Sequence, residues 1–285
     1  MKHLFTMLLV LSIAPGLLAR EDDNTFTRAV GQWQVTLLTE GQHEGRAAIL
    51  VGATREMLAT IPNGTFPGAT NAFLARSGDL IVLIDTGYGK RLFDHLQALG
   101  VSPAEIDVVL LTHMHGDHIG GMIRDGEKAF PNARVYLPRQ EHDYWMQQHG
   151  NAARMIELYR EQLHLFLPGE ARDGGTPLLP GIRGISAFGH TPGHCTYLLE
   201  SRGERLLVWG DLAHAMAIQM PYPAVAVTYD VDPARAVTSR EAILSFVTRE
   251  KIPVAGMHVA YPGIGRVEEV SPGSYRFIPA TQQGE

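Results

Sequence analysis

Three imidazoles and one carboxylate fall within six consecutive residues, His113-Met114-His115-Gly116-Asp117-His118. In extended backbone, residues two apart face the same side, so His113 and His115 can reach one ion. Asp117 and His118 diverge from that pair and suit a second ion a few Å away. Imidazole and carboxylate without thiolate favour Zn²⁺ or a similar first-row metal. The bland alternative, a histidine-rich surface loop, fits poorly with what precedes the cluster. Ile106 to Thr112 is a continuous apolar run that reads as a buried strand, and a ligand set at the end of a core strand is aimed by a rigid element.

Four residues cannot complete two metal shells, so the chain must supply more. Three places suit. His190-Thr191-Pro192-Gly193-His194 follows the strand-like run from Ile182 to Phe188. Asp211 ends the run Leu206-Leu207-Val208-Trp209-Gly210. His258 follows Ile252 to Met257. Each donor closes a strand-like segment, and strand ends on one sheet edge converge in space. Asp85-Thr86-Gly87 also carries the D-T-G pattern of aspartic proteases, but those need two such loops to pair carboxylates. One is present, so Asp85 reads as a supporting residue at a turn. Cys195 is the single cysteine. It cannot form an internal disulfide and reads as a small buried residue rather than a ligand.

The elements that must position these groups follow from periodicity and turn signals. Gln32 to Leu38 alternates as a strand. Asn71–Arg76 and Leu80–Asp85 form a hairpin around Ser77-Gly78-Asp79. Lys90 to Leu99 is a short helix ending at Gly100, Val135 to Leu137 a strand, and Gln140 to Gln148 a helix. Met155, Leu158, Tyr159, Leu163 and Phe166 have helical spacing within Ala152–Leu167. Tyr197–Leu199 and Leu206–Trp209 make a second hairpin. Pro233 opens a helix through Val247, with Asp232 as its cap. Strands and helices alternate in two halves, which suits one α/β domain over residues 20–285.

The chain has 285 residues, a net charge of -6, 19% charged and 45% hydrophobic residues. This is an ordinary globular composition, and its acidic balance argues against nucleic acid as a partner. Residues 1–19 read as a secretory signal peptide: Lys2 and His3, an apolar stretch from Leu4 to Ala14, and a small residue, Ala19, at the exit. The stretch is short for a bilayer span. A periplasmic or secreted protein without stable membrane association after cleavage is expected, an N-terminal anchor being the alternative.

The order H-x-H-x-D-H, T-P-G-H, G-D and a late histidine, with Leu83-Ile84-Asp85-Thr86-Gly87 upstream, resembles the metallo-β-lactamase superfamily. The resemblance runs from about Thr70 to Gly265. It implies a four-layered αβ/βα sandwich and two divalent ions, zinc foremost. By that resemblance His113, His115 and His194 bind the first ion, Asp117, His118 and His258 the second, and Asp211 bridges them. His190 is expected to support its loop through hydrogen bonds. Asp117, Asp211 and His214 are the expected catalytic residues. In acyl-homoserine-lactone lactonases a tyrosine stands where His214 does, three residues past the bridging aspartate. Gly210-Asp211-Leu212-Ala213-His214 and His258 to Gly265 resemble the methyl-parathion-hydrolase group instead.

The expected reaction is hydrolysis of a neutral ester, lactone or organophosphate triester by a bridging hydroxide, formed from water whose pKa metal binding lowers to near 7. Met57, Phe66, Trp145, Met220, Tyr222 and Tyr229 are the expected apolar pocket residues. A β-lactamase, a thioesterase of glyoxalase II type and a non-catalytic metal-binding module are the alternatives. Asp211 weighs against the first, since β-lactamases of this fold generally lack it. A small-molecule substrate is expected, with a homodimer as a possible assembly.

Overall fold

The computed structural model describes residues 25–281; the expected signal peptide lies outside them. The first sheet contains β1 (Thr27–Val30), β2 (Trp33–Arg46), β3 (Thr65–Ser77), β4 (Leu80–Ile84), β5 (Val108–Leu110), β6 (Arg134–Pro138) and β7 (Leu163–Phe166), adjacent in that order. β1 to β4 are antiparallel neighbours, whereas β4, β5, β6 and β7 run parallel. The second sheet contains β8 (Thr176–Leu179), β9 (Ile182–Ser186), β10 (Cys195–Ser201), β11 (Glu204–Val208), β12 (Val254–Ala255), β13 (Ile264–Ser271) and β14 (Ser274–Pro279), again in chain order. Its β11–β12 pair is parallel and the others antiparallel.

Alternation along the strands builds the layers. In β4, Val82 and Ile84 face the second sheet, meeting Tyr197, Leu199, Leu206 and Val208 in one buried cluster. Leu83, pointing the other way, joins Val109, Val135 and Leu137 under α1 (Leu92–Ala98) and α4 (Gly150–Tyr159). On the far side, Leu198, Leu207 and Trp209 pack against Ile243, Leu244 and Val247 of α5 (Pro233–Arg249). Helix, sheet, sheet and helix stack in four layers, as expected. Asp232 caps α5 by accepting from the Arg235 N–H at 3.1 Å. Among the described residues no helix is long and apolar enough to cross a membrane.

Two expectations need revision. The segment expected to be helical through Leu167 is helical only to Tyr159. Leu163 to Phe166 is β7, paired in parallel with Val135–Pro138 of β6. Its apolar residues suit either period, and a free edge on β6 decides for the strand. The strand expected to end near Leu38 runs on to Arg46 through a bulge at Thr39–Gly41, paired with Thr65–Thr70 of β3. This ribbon reaches beyond the sheet and over the cluster of histidines.

The halves brace each other's loops. Tyr197 Oη donates to the Leu111 carbonyl at 2.6 Å and Cys195 N–H to Thr112 O at 3.0 Å, so β10 holds the end of β5. In return, Asn71 Nδ2 of β3 donates to Gly256 O and Val259 O at 3.0 and 2.9 Å, fixing the His258 loop.

Candidate metal centre

The donors leave the ends of β4, β5, β9, β11 and β12 along one edge of the sandwich. The residue after β4, Asp85, takes φ 56° and is buried. Its carboxylate accepts from Thr112 N–H at 2.8 Å, Thr112 Oγ1 at 2.7 Å and His118 Nδ1 at 2.7 Å. It is thus the supporting residue the sequence suggested, and it aims His118. The short helix α2 (Gly116–Ile119) starts at His115 and turns Asp117 and His118 away from His113 and His115.

Oxygens fix the outward nitrogen of four rings. His118 Nδ1 donates to Asp85, His190 Nδ1 to Asp230 Oδ1 at 2.8 Å, and His258 Nδ1 to Ala69 O at 2.9 Å. Thr112 Oγ1, spending its proton on Asp85, accepts from His113 Nδ1 at 3.1 Å. The opposite nitrogens therefore face inward, the arrangement that metal-binding histidines use. His113 Nε2 and His190 Nε2 each lie 3.0 Å from His115 Nδ1, and His190 Nε2 lies 3.2 Å from Asp211 Oδ2. These four donors form one compact set, and Asp117, His118 and His258 form another. Between the sets sits Asp211: Oδ1 is 3.0 Å from His118 Nε2, and Oδ2 is 3.0 Å from His258 Nε2.

The first set includes His190 and leaves out His194. The His194 ring lies 5.2 Å from that of His113, but Nδ1 donates to Ala187 O at 2.8 Å and Nε2 accepts from Asp211 N–H at 3.0 Å. Both its nitrogens thus have backbone partners. Burial pushes its pKa down to about 3. It braces the turn that presents Asp211. His113, His115, Asp117, His118, Asp211 and His258 fall within the two sets.

His214 also joins the centre. Its Nε2 is 3.2 Å from Asp211 Oδ2, its ring stacks on His258 at 4.7 Å, and burial lowers its pKa to about 4, so it is neutral near pH 7. Burial alone would raise the Asp211 carboxyl, yet His118, His258 and His113 hold it well below the usual range. Burial likewise opposes charge on His118, but Asp211, Asp117 and Asp85 raise it well above the ordinary value. His190 is raised to about 9 against burial by its bonds to Asp211 and Asp230. Anionic groups here gather positive charge, carried by ring protons or by divalent cations in their place. His118 Nε2, Asp211 Oδ1 and His214 Nδ1 are buried with no well-aligned hydrogen-bond partner. Inward imidazole nitrogens, orphaned buried atoms and a shared carboxylate fit a pair of divalent ions.

Supporting residues invisible to sequence reading surround the centre. Asp230, 40 positions from His190, carries no local signal. Glu141, buried in α3 (Arg139–Gln148), accepts from Met114 N–H at 3.1 Å, Trp145 Nε1 at 2.5 Å, Thr191 Oγ1 at 2.8 Å and Gly193 N–H at 2.9 Å. One carboxylate thereby ties the two histidine loops together. Arg240 of α5, also buried, donates to the carbonyls of Leu212, Pro223 and Val225, holding the loop that carries His214. Cys195 is buried and is no ligand.

The centre opens into a cleft of about 600 Å³. Phe66 and Tyr229 line it as expected, joined by His43 and Tyr88. Met57, Trp145, Met220 and Tyr222 do not. Met220 is core, and Trp145 covers the His115 ring at 5.6 Å. A larger cleft of about 1220 Å³ lies by β1, β13 and β14 and holds none of the donors.

Residues 65–254 match the family described as the metallo-beta-lactamase superfamily. The chain belongs to that superfamily. Among solved structures, the hydrolase AbOPH superposes with a TM-score of 0.81 at 25% identity, covering 92% of this chain and 99% of that one. AidC, a dizinc quorum-quenching lactonase with a bound homoserine product, gives 0.77 at 23% identity over 91% and 99%. An atrochrysone carboxyl ACP thioesterase of Aspergillus chevalieri is 29% identical over 189 residues, which is 65% of this superfamily member and 60% of the thioesterase. The chain thus spans well under the whole length of that curated relative.

Proposed function

We propose that this superfamily member is a binuclear metal-dependent hydrolase of neutral carbonyl or phosphoryl esters, lactones among them. One observation carries the reading: the Asp211 carboxylate contacts His190 and His258 through Oδ2 and His118 through Oδ1, so one residue serves both donor sets. His113, His115 and His190 would hold one ion, Asp117, His118 and His258 the other, with Asp211 shared. Bound there, a zinc pair would supply Lewis acidity and, through a bridging hydroxide, a nucleophile at neutral pH.

The chain's own groups do the rest. Asp85, Thr112, Asp230 and the Ala69 carbonyl keep the rings in one tautomer and orientation. His214, neutral and bonded to Asp211, stands beside the reacting centre where it can exchange a proton with a leaving oxygen. His43, Phe66, Tyr88 and Tyr229 wall a partly apolar cleft that suits an uncharged substrate. The similarity to a thioesterase adds thioesters to the substrates worth testing.

Zinc-loaded protein should be assayed with aryl esters, short and long acyl-homoserine lactones, phosphotriesters, an acyl thioester and a cephalosporin. Turnover of at least one ester, lactone, thioester or triester is expected, lost on chelation and restored by added zinc. Turnover of the cephalosporin alone would assign a β-lactamase, and metal-independent turnover would refute the reading.

A further inference from the structure

Along the β2–β3 ribbon, His43 lies directly opposite Gly68, and Gly45 opposite Phe66. Alternation puts all four on one face, and all four line the cleft with Asp117, Asp211 and His258. Each ring lies across the glycine of the partner strand. A methyl group at position 68 would stand 2.8 Å from His43 Nε2, and one at 45 would collide with the Phe66 ring. Neither glycine has a positive φ, so neither is there for a turn. A glycine inside a strand costs stability relative to alanine and marks a close approach; here the approach is that of an aromatic ring.

Phe66 is 4% exposed, packed in a buried cluster with Ile61, Ile218 and Val225, whereas His43 is exposed to the cleft. Tyr88 and Tyr229, each about half exposed, bring two more rings to the same mouth from other loops. Resting on the hydrolase reading, we propose that His43, seated against Gly68 beside Tyr88 and Tyr229, forms a specificity platform, selecting substrates with a flat, conjugated group beside the scissile bond. A flexible alkyl chain gains apolar contact on any greasy wall. A flat group gains stacking on seated rings as well.

Two probes of equal carbon count separate these cases: benzamide, which is flat, and cyclohexanecarboxamide, which is puckered. Binding to zinc-loaded protein is read by titration calorimetry or NMR shifts. The platform predicts benzamide binding tighter by about three- to tenfold. Gly68→Ala leaves the backbone at ease but displaces His43, and His43→Ala removes the ring. Each should cut the preference below about twofold, with zinc content and Tm retained. Equal affinity in the wild type, or an unchanged preference in both variants, overturns the proposal. If the preference appears and collapses in Gly68→Ala while no substrate in the hydrolase panel is turned over, the platform stands and the hydrolase reading falls. Turnover without any preference does the reverse.

Discussion

At the scale of single residues, Asp211 is shared and everything else is divided. Asparagine at this position keeps the shape but removes the negative charge that both donor sets use. Asp211→Asn should therefore cost at least about a hundredfold in activity and lower bound metal toward one ion per chain, measured by atomic emission. The same measurement tests the exchange of histidines. His190→Ala should lose an ion, whereas His194→Ala should retain more metal, its damage falling on the turn that carries Asp211. Six of the seven residues that cluster in the two sets stood out in the sequence because they follow apolar runs. His190 could not be told from His194, because both lie in H-T-P-G-H after the same strand. The deciding facts are non-local: Asp230 claims the outer nitrogen of His190, and the backbone of Ala187 and Asp211 claims both of His194.

Among elements, strand ends do the positioning and buried charges lock the loops between them. Glu141 lies in the polar first half of its helix, yet it satisfies four donors from two histidine loops and its own helix. Its burial raises its pKa, and those four donors are what an ionised form requires. Glu141→Ala strands them, and should cost roughly 3 kcal/mol or more, read as a lower denaturation midpoint in urea. Hairpins and the capped helix α5 were legible because turn residues and a proline mark them. β7 was not: Leu163, Leu165 and Phe166 fit a helix as a continuation of α4, and only the open edge of β6 makes them a strand. The long ribbon of β2 and β3 escaped for a related reason. Beyond Thr39 its residues have little core to face, so alternation of polarity fades while the pairing continues.

Over the whole molecule, alternation of strands and helices showed one α/β domain in two halves, and the resemblance to the superfamily implied its four layers, but the way the halves meet was not legible. First-half strands supply His113, His115, Asp117 and His118, and second-half strands supply His190, Asp211 and His258. An ion bound by both halves stabilises their docking by linkage. Chelation of zinc-loaded protein should therefore lower Tm by about 5–10 °C if each ion is present at a hundred times its Kd, followed by calorimetry.

The Tyr197 hydroxyl, buried in the seam and bonded to Leu111 O, makes that docking a matter of distant atoms. Tyr197→Phe touches no donor, yet it frees the end of β5 that carries them. Such a variant should surrender zinc to a competing dye faster than wild type while keeping its far-ultraviolet circular dichroism. Ion retention then works as a strain gauge for the interior, reporting faults in packing that a spectrum of the backbone would pass over.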